Sequence, residues 1–267
     1  MARLLLPVLT GLLLLAVLAD RITRLASASL NASAPTAAAD TNRAVVARGP
    51  ARAVVAPVTL PATPDSRTPT LDRLARLAVR QELIRYAGQT YLDSLITTTD
   101  SVVRRWPDRN GEPLKVLIVE GAAPGYAPRM AGLVRQALDR WAQAGVGVRF
   151  AEVRDSAAAD IVVRWIDRFD IDRAGQTDLT WDQLGRVRRA TISLALHSTA
   201  GAALSDPALL SVAVHETGHA IGLPHSADSN DVMFPSTRTS ALSERDVRTA
   251  QVLYQLPPGS VKDVTGR

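Results

Sequence analysis

Three of the chain's four histidines lie in one run, His215-Glu216-Thr217-Gly218-His219-Ala220-Ile221-Gly222-Leu223-Pro224-His225. At ordinary composition, a chance match to its His, Glu and Gly positions is on the order of one in 10⁵ or rarer. The spacing has a chemical reason. His215 and His219 are four apart, so a helix sets them on one face, within reach of one metal ion. Glu216 sits beside the first of them, placed to reach a water on that metal. Gly222 permits a sharp turn after the helix, and His225 returns as a third ligand. Three neutral imidazoles around Zn²⁺ leave a fourth position open, the arrangement of a catalytic rather than a structural site.

The spacing is that of the metzincin signature, which also requires a later methionine turn. Met233 follows within Asp231-Val232-Met233-Phe234-Pro235. Within the metzincins the chain resembles the matrixins, the matrix-metalloprotease-like branch. Ser226 directly after the third His, Met233 eight residues beyond that His, and Pro235 carry the likeness at the motif. Asp160-Ile161-Val162-Val163-Arg164-Trp165 is similar to the matrixin strand that opens Ala-Asp-Ile, and Leu242 to Val247 to the start of the last matrixin helix. The likeness runs over roughly residues 113–256. It implies an α+β zincin catalytic domain: a twisted, mixed five-stranded sheet, about three main helices, and a small C-terminal subdomain. That subdomain would hold His225, the Met233 turn as a floor beneath the histidines, and the last helix. Pro235 would help wall the pocket on the leaving-group side.

The chain of 267 residues has no cysteine. Thiolate ligation and a disulfide framework are excluded, and so is the cysteine latch with which many matrixin pro-segments hold their enzyme inactive. The net charge of +5 comes almost wholly from arginines scattered among acids. No basic block appears, nor basic residues alternating with aromatics, which argues for a solvated surface and against nucleic acid as partner.

Five regions are expected. Residues 1–28 hold an apolar run from Leu4 to Ala19 after Arg3, either an export signal or an uncleaved membrane tether. Both place the protein outside the cytoplasm, secreted or anchored. Residues 29–69, rich in Ala, Pro and Thr, read as a disordered linker. Residues 70–112 read as a helical extension, with a helix over 71–86 and a second amphipathic piece over 91–103. That extension either packs on the catalytic domain or serves as a short pro-segment. Residues 113–257 form the catalytic domain and 258–267 a tail. Within the domain, apolar patterning predicts strands at 114–119, 148–153, 161–165 and 191–196, and helices at 128–144, 207–221 and from Ser243 to Tyr254.

The chemistry expected is zinc-dependent endopeptidase hydrolysis of a protein or peptide substrate, by a monomer. Glu216 would act as general base toward a zinc-activated water, and then pass the proton to the leaving amine. Two other classes share these residues: an inactive zinc-binding adhesion or scaffold module, and a zinc hydrolase of a non-peptide bond. An intact Glu216 speaks against the first; a substrate screen separates the second. His197 reads as exposed and not a ligand. Asp170, Asp172, Asp178 and Asp182 lie between two apparent strands. Oxygen ligands of this kind can hold Ca²⁺, but the spacing is no EF-hand loop and the segment reads as a solvated acidic loop, so calcium is not supported.

Overall fold

The computed structural model describes residues 71–97, 101–121 and 123–262. The apolar run at 4–19 and the linker at 29–69 lie outside the described residues. No helix among the described residues is long and apolar enough to cross a membrane.

The chain opens with α1 (Leu71–Arg85) and a single-turn α2 (Ser94–Thr97), then β1 (Val102–Val103) and β2 (Leu114–Ile118). Helix α3 (Arg129–Gln143) leads to β3 (Phe150–Glu152), β4 (Ile161–Ile166), β5 (Gly175–Trp181) and β6 (Val187–Ala195). Helices α4 (Asp206–Ala220) and α5 (Glu244–Gln255) and the short β7 (Gly259–Ser260) complete it. Strands β3-β2-β4-β6-β5 form the expected mixed five-stranded sheet. Its pairs are parallel except at the β5–β6 edge.

Alternation places the core. In β4, Ile161, Val163 and Trp165 are buried while the residues between them are not. In α3, Met130, Val134, Leu138 and Trp141 recur at helical spacing and are buried. Trp141 Nε1 donates to Val214 O of α4 at 2.8 Å, pinning the two helices together. The α+β expectation holds, with α1 and the one-turn α2 added to the three main helices.

Several local expectations are corrected. The segment holding Asp170 to Asp182 is not simply a loop. Gly175–Trp181 is the fifth strand, antiparallel to β6, which begins at Val187 rather than 191. This edge strand is half exposed and rich in polar residues, so it lacks the apolar alternation that marks its neighbours. Asp178 lies on β5, and Asp182 sits in the following turn, where it accepts from Arg186 and Arg188. Among its described residues, the piece at 91–103 holds one helical turn and then β1, because Val102 and Val103 pair with Ser260 and Gly259. That pairing also gives part of the expected tail a strand partner, which no local pattern announces.

Residues 71–112 share the core of the following residues. Leu83, Tyr91, Leu92, Val103 and Trp106 are all buried in the same apolar cluster as α3, α4 and α5. His197 is half buried rather than exposed, with Nδ1 2.9 Å from Asp167 Oδ1.

Candidate active site

Helix α4 carries two of the three histidines and is defined at both ends. Ser205 caps its start by accepting from Ala208 N–H, with Pro207 in the first turn. At its far end the last carbonyls would lack partners. Trp106 Nε1 donates to Ala220 O at 2.8 Å and Tyr254 OH to Ile221 O at 3.0 Å. Leu223 N–H closes the turn onto Gly218 O at 3.0 Å. Gly222, at φ 104°, makes that turn, and a Cβ there would collide with Arg104 O. The reversal aims the chain back toward the helix and delivers His225.

The three rings converge. Nε2 of His219 lies 3.1 Å from Nε2 of His215 and 3.1 Å from Nε2 of His225. Two of the rings are oriented from behind. His215 Nδ1 donates to Val232 O at 2.7 Å, and His219 Nδ1 donates to Leu223 O at 2.8 Å. A carbonyl can only accept, so both Nδ1 atoms carry hydrogen and both Nε2 atoms present lone pairs when the rings are neutral. Burial first, then the neighbouring histidines, lowers His219 to about 3. Burial also lowers His215, against the Val232 carbonyl, and lowers His225. Neutral rings are therefore the stable form near pH 7.

Glu216 is 5% exposed, on the helix between these ligands. Burial raises its carboxyl to about 7, opposed by a hydrogen bond from Thr177. Thr177 Oγ1 lies 2.6 Å from Glu216 Oε2 and 3.0 Å from Glu216 O. Gly175, two residues earlier on β5, leaves space for the same side chain. A Cβ there would lie 2.5 Å from Glu216 Oε1 and 2.6 Å from Val212 Cγ1. Neither residue was visible as a site residue in sequence, because β5 itself was hidden.

Met233 is fully buried. It packs so closely on α4 that a methyl group at Gly218 would strike its sulfur. Ser226 N–H donates to Met233 O at 2.9 Å, tying the residue after His225 to the methionine turn. Pro235 is exposed at the end of that turn. Beneath the turn lie two buried carboxylates. Asp231 accepts from Ser226 Oγ, from Ser243 Oγ at 2.7 Å and from Arg245 at 3.1 Å. Asp246 accepts from Val232 N–H at 2.8 Å, Ser243 N–H at 2.9 Å and Tyr91 OH at 3.0 Å. The Ser243–Asp246 capping box was legible as a helix start. Its second task, holding the methionine turn, was not. A separate cavity of about 220 Å³ lies between Trp106, Leu114, Val148 and Tyr254 and contains none of the site residues.

The donor set fits a zinc ion. Two Nε2 lone pairs 3.1 Å apart repel as bare rings and become favourable around a shared cation. That separation is of the order two nitrogens take on one zinc with bonds of about 2.0–2.1 Å. The hydrogen bonds at Nδ1 are the supports that fix such ligands.

The sequence pattern of the matrixin family matches residues 118–255, a little over half of the chain. A stretch of 54 residues is 48% identical to macrophage metalloelastase of Oryctolagus cuniculus, covering 18% of this chain and 12% of that protein. A stretch of 54 residues is 44% identical to metalloendoproteinase 1 of Glycine max, covering 19% of this chain and 18% of that protein. The chain thus spans less than a fifth of the length of these relatives. The family pattern covers four strands of the sheet, the helix with its paired histidines, the returning third histidine and the methionine turn, and the chain belongs to the matrixin family of metalloproteases.

Proposed function

We propose that the protein is an exported, zinc-dependent endopeptidase that cleaves peptide bonds in protein or peptide substrates and acts as a monomer. The observation that carries this reading is the convergence of three neutral histidine nitrogens beside one buried carboxyl. His215, His219 and His225 would hold the ion. A zinc bound there would supply Lewis acidity toward a water and toward the scissile carbonyl.

The chain's own residues supply the proton chemistry. Glu216, buried beside these ligands and hydrogen-bonded by Thr177, takes a proton from the attacking water and releases it again. The released proton goes from Glu216 to the departing amine. His215 and His219 stay neutral beside it, because burial lowers both rings and their Nε2 lone pairs would be taken up by the ion. Met233 would serve as a packed floor, Gly222 as the turn that returns His225, and Pro235 as a wall of the pocket. The apolar run at 4–19 would direct export or tether the protein to a membrane.

The test is a peptide-library digest by a chain beginning near residue 70, with and without a chelator. Cleavage that disappears with chelator and returns with zinc is expected, with about one zinc per chain. Full zinc content after replacing both His215 and His219 by Ala would reject the ligand set. Zinc binding with no cleavage of any peptide would reject the peptidase reading.

A further inference from the structure

The base in this site is held from two sides, and only one of them belongs to the histidine motif. Helix α4 supplies the Glu216 backbone. Strand β5 supplies the seat for its carboxyl group: the bare Cα of Gly175 on one side and the Thr177 hydroxyl on the other. The strand alternation puts residues 175 and 177 on one face. That face is the one turned toward α4, since Gly175 meets both Glu216 and Val212 and Thr177 meets Glu216.

The Thr177 hydroxyl has one hydrogen and two neighbouring acceptors. It lies 2.6 Å from Glu216 Oε2 and 3.0 Å from the main-chain oxygen of the same residue. One hydrogen cannot serve both at once, but a hydroxyl also accepts. With Glu216 ionised, Thr177 donates to Oε2. With Oε2 carrying the proton, Oε2–H donates to Thr177 Oγ1, and the threonine hydrogen turns to Glu216 O. Both arrangements are complete, and the carboxyl keeps one position through the change. An alkyl side chain offers neither bond, and a fixed donor such as an ammonium offers only the first.

We propose that Thr177 is the positioning residue for Glu216, keeping the carboxyl group in one place both before and after it takes the proton, with Gly175 providing the room. The proposal rests on the reading of Glu216 as general base.

The experiment compares Thr177→Val, Thr177→Ala and Thr177→Ser in the zinc-loaded chain, each alone and combined with Glu216→Gln. For each variant it measures kcat, KM, zinc content and the unfolding midpoint. Valine keeps the branched shape of threonine and removes only the hydroxyl. Thr177→Val and Thr177→Ala are expected to lower kcat by about 10–100-fold, the usual cost of removing a supporting hydrogen bond at such a site. KM and zinc content should stay at their original values. Thr177→Ser should restore most of the rate. In the Glu216→Gln background, where the base is already gone, removing the hydroxyl should cost nothing more. Wild-type turnover in Thr177→Val or Thr177→Ala overturns the proposal. So does a loss in Thr177→Val that tracks lost zinc, or one of equal size in the Glu216→Gln background. Wild-type turnover in Glu216→Gln itself would instead remove the base reading beneath it.

Discussion

His215 and Asp246 grip the same residue from opposite sides: Val232 gives its N–H to Asp246 Oδ2 at 2.8 Å and its carbonyl accepts from His215 Nδ1 at 2.7 Å. A helix-capping carboxylate thus sets the orientation of a candidate zinc ligand 31 positions away in sequence. Asp246→Ala leaves the Val232 N–H, Ser243 N–H and Tyr91 OH without their acceptor, at about 1–3 kcal/mol for each buried donor. Urea unfolding should show a loss above about 3 kcal/mol, with Asp246→Asn intermediate. Chelator competition should show zinc affinity falling roughly tenfold or more. Unchanged zinc affinity in a variant that still folds would separate the cap from the site.

Proton linkage gives the metal-free protein a pH signature. The unfolded chain releases the Glu216 proton near 4.5, whereas the fold keeps it until about 7. The stabilising contribution is therefore full below 4.5 and lost as pH rises toward 7, by about 3 kcal/mol for a shift of this size. His219 acts in the opposite sense. Its ordinary value is 6.5 and the fold lowers it to about 3, so its contribution is full above 6.5 and lost as pH falls. Metal-free Glu216→Gln should match the parent in stability at pH 4.5 and exceed it at pH 8. Parallel stability curves for the two proteins across this range would refute the assignment of the raised carboxyl.

The turn after α4 has no room for a side chain. Gly222→Ala imposes φ 104° on a residue that disfavours it and drives a methyl group into Arg104 O. We expect a loss of about 1–3 kcal/mol from the backbone alone. Zinc affinity should also fall, because the displaced Leu223 carbonyl is the acceptor for His219 Nδ1. Calorimetry and zinc titration on the same preparation check both effects.

Two residues before 113 support elements of the site. Trp106 closes the end of α4, and Tyr91 contacts Asp246. A chain begun at Pro113 should bind zinc weakly and melt early, while one begun near Thr70 behaves normally. A chain begun near Asn31 should cleave the same peptide at a similar rate to the Thr70 form, as expected of a linker rather than an inhibitory segment. A large activation on removing residues 31–69 would show the opposite.

What the sequence revealed follows from the range of the interactions involved. The ligand pattern lies within eleven residues on a helix and its turn, so periodicity alone places it, and the capping box of α5 is equally local. Thr177 and Gly175 went unread because they matter only once β5 lies beside α4, and β5 has too little apolar alternation to announce itself. Trp106, Tyr91 and the second task of Asp246 were hidden for a similar reason. Each acts on residues far away in sequence, and none carries a motif.

The β1–β7 pair has a mechanical consequence. Val102 faces Ser260 and Val103 faces Gly259, and Val261 N–H donates to Ser101 O at 2.7 Å at the open end. Tension applied through the chain on either side of this clasp loads its bonds one at a time, beginning at Ser101 and Val261. Arg80, whose guanidinium donates to Val261 O at 3.0 Å, resists that first step. Peeling this clasp breaks no bond made by the helix that carries His215. A force–extension trace should therefore show a small early step, weakened by Arg80→Ala, ahead of the rupture of the main fold.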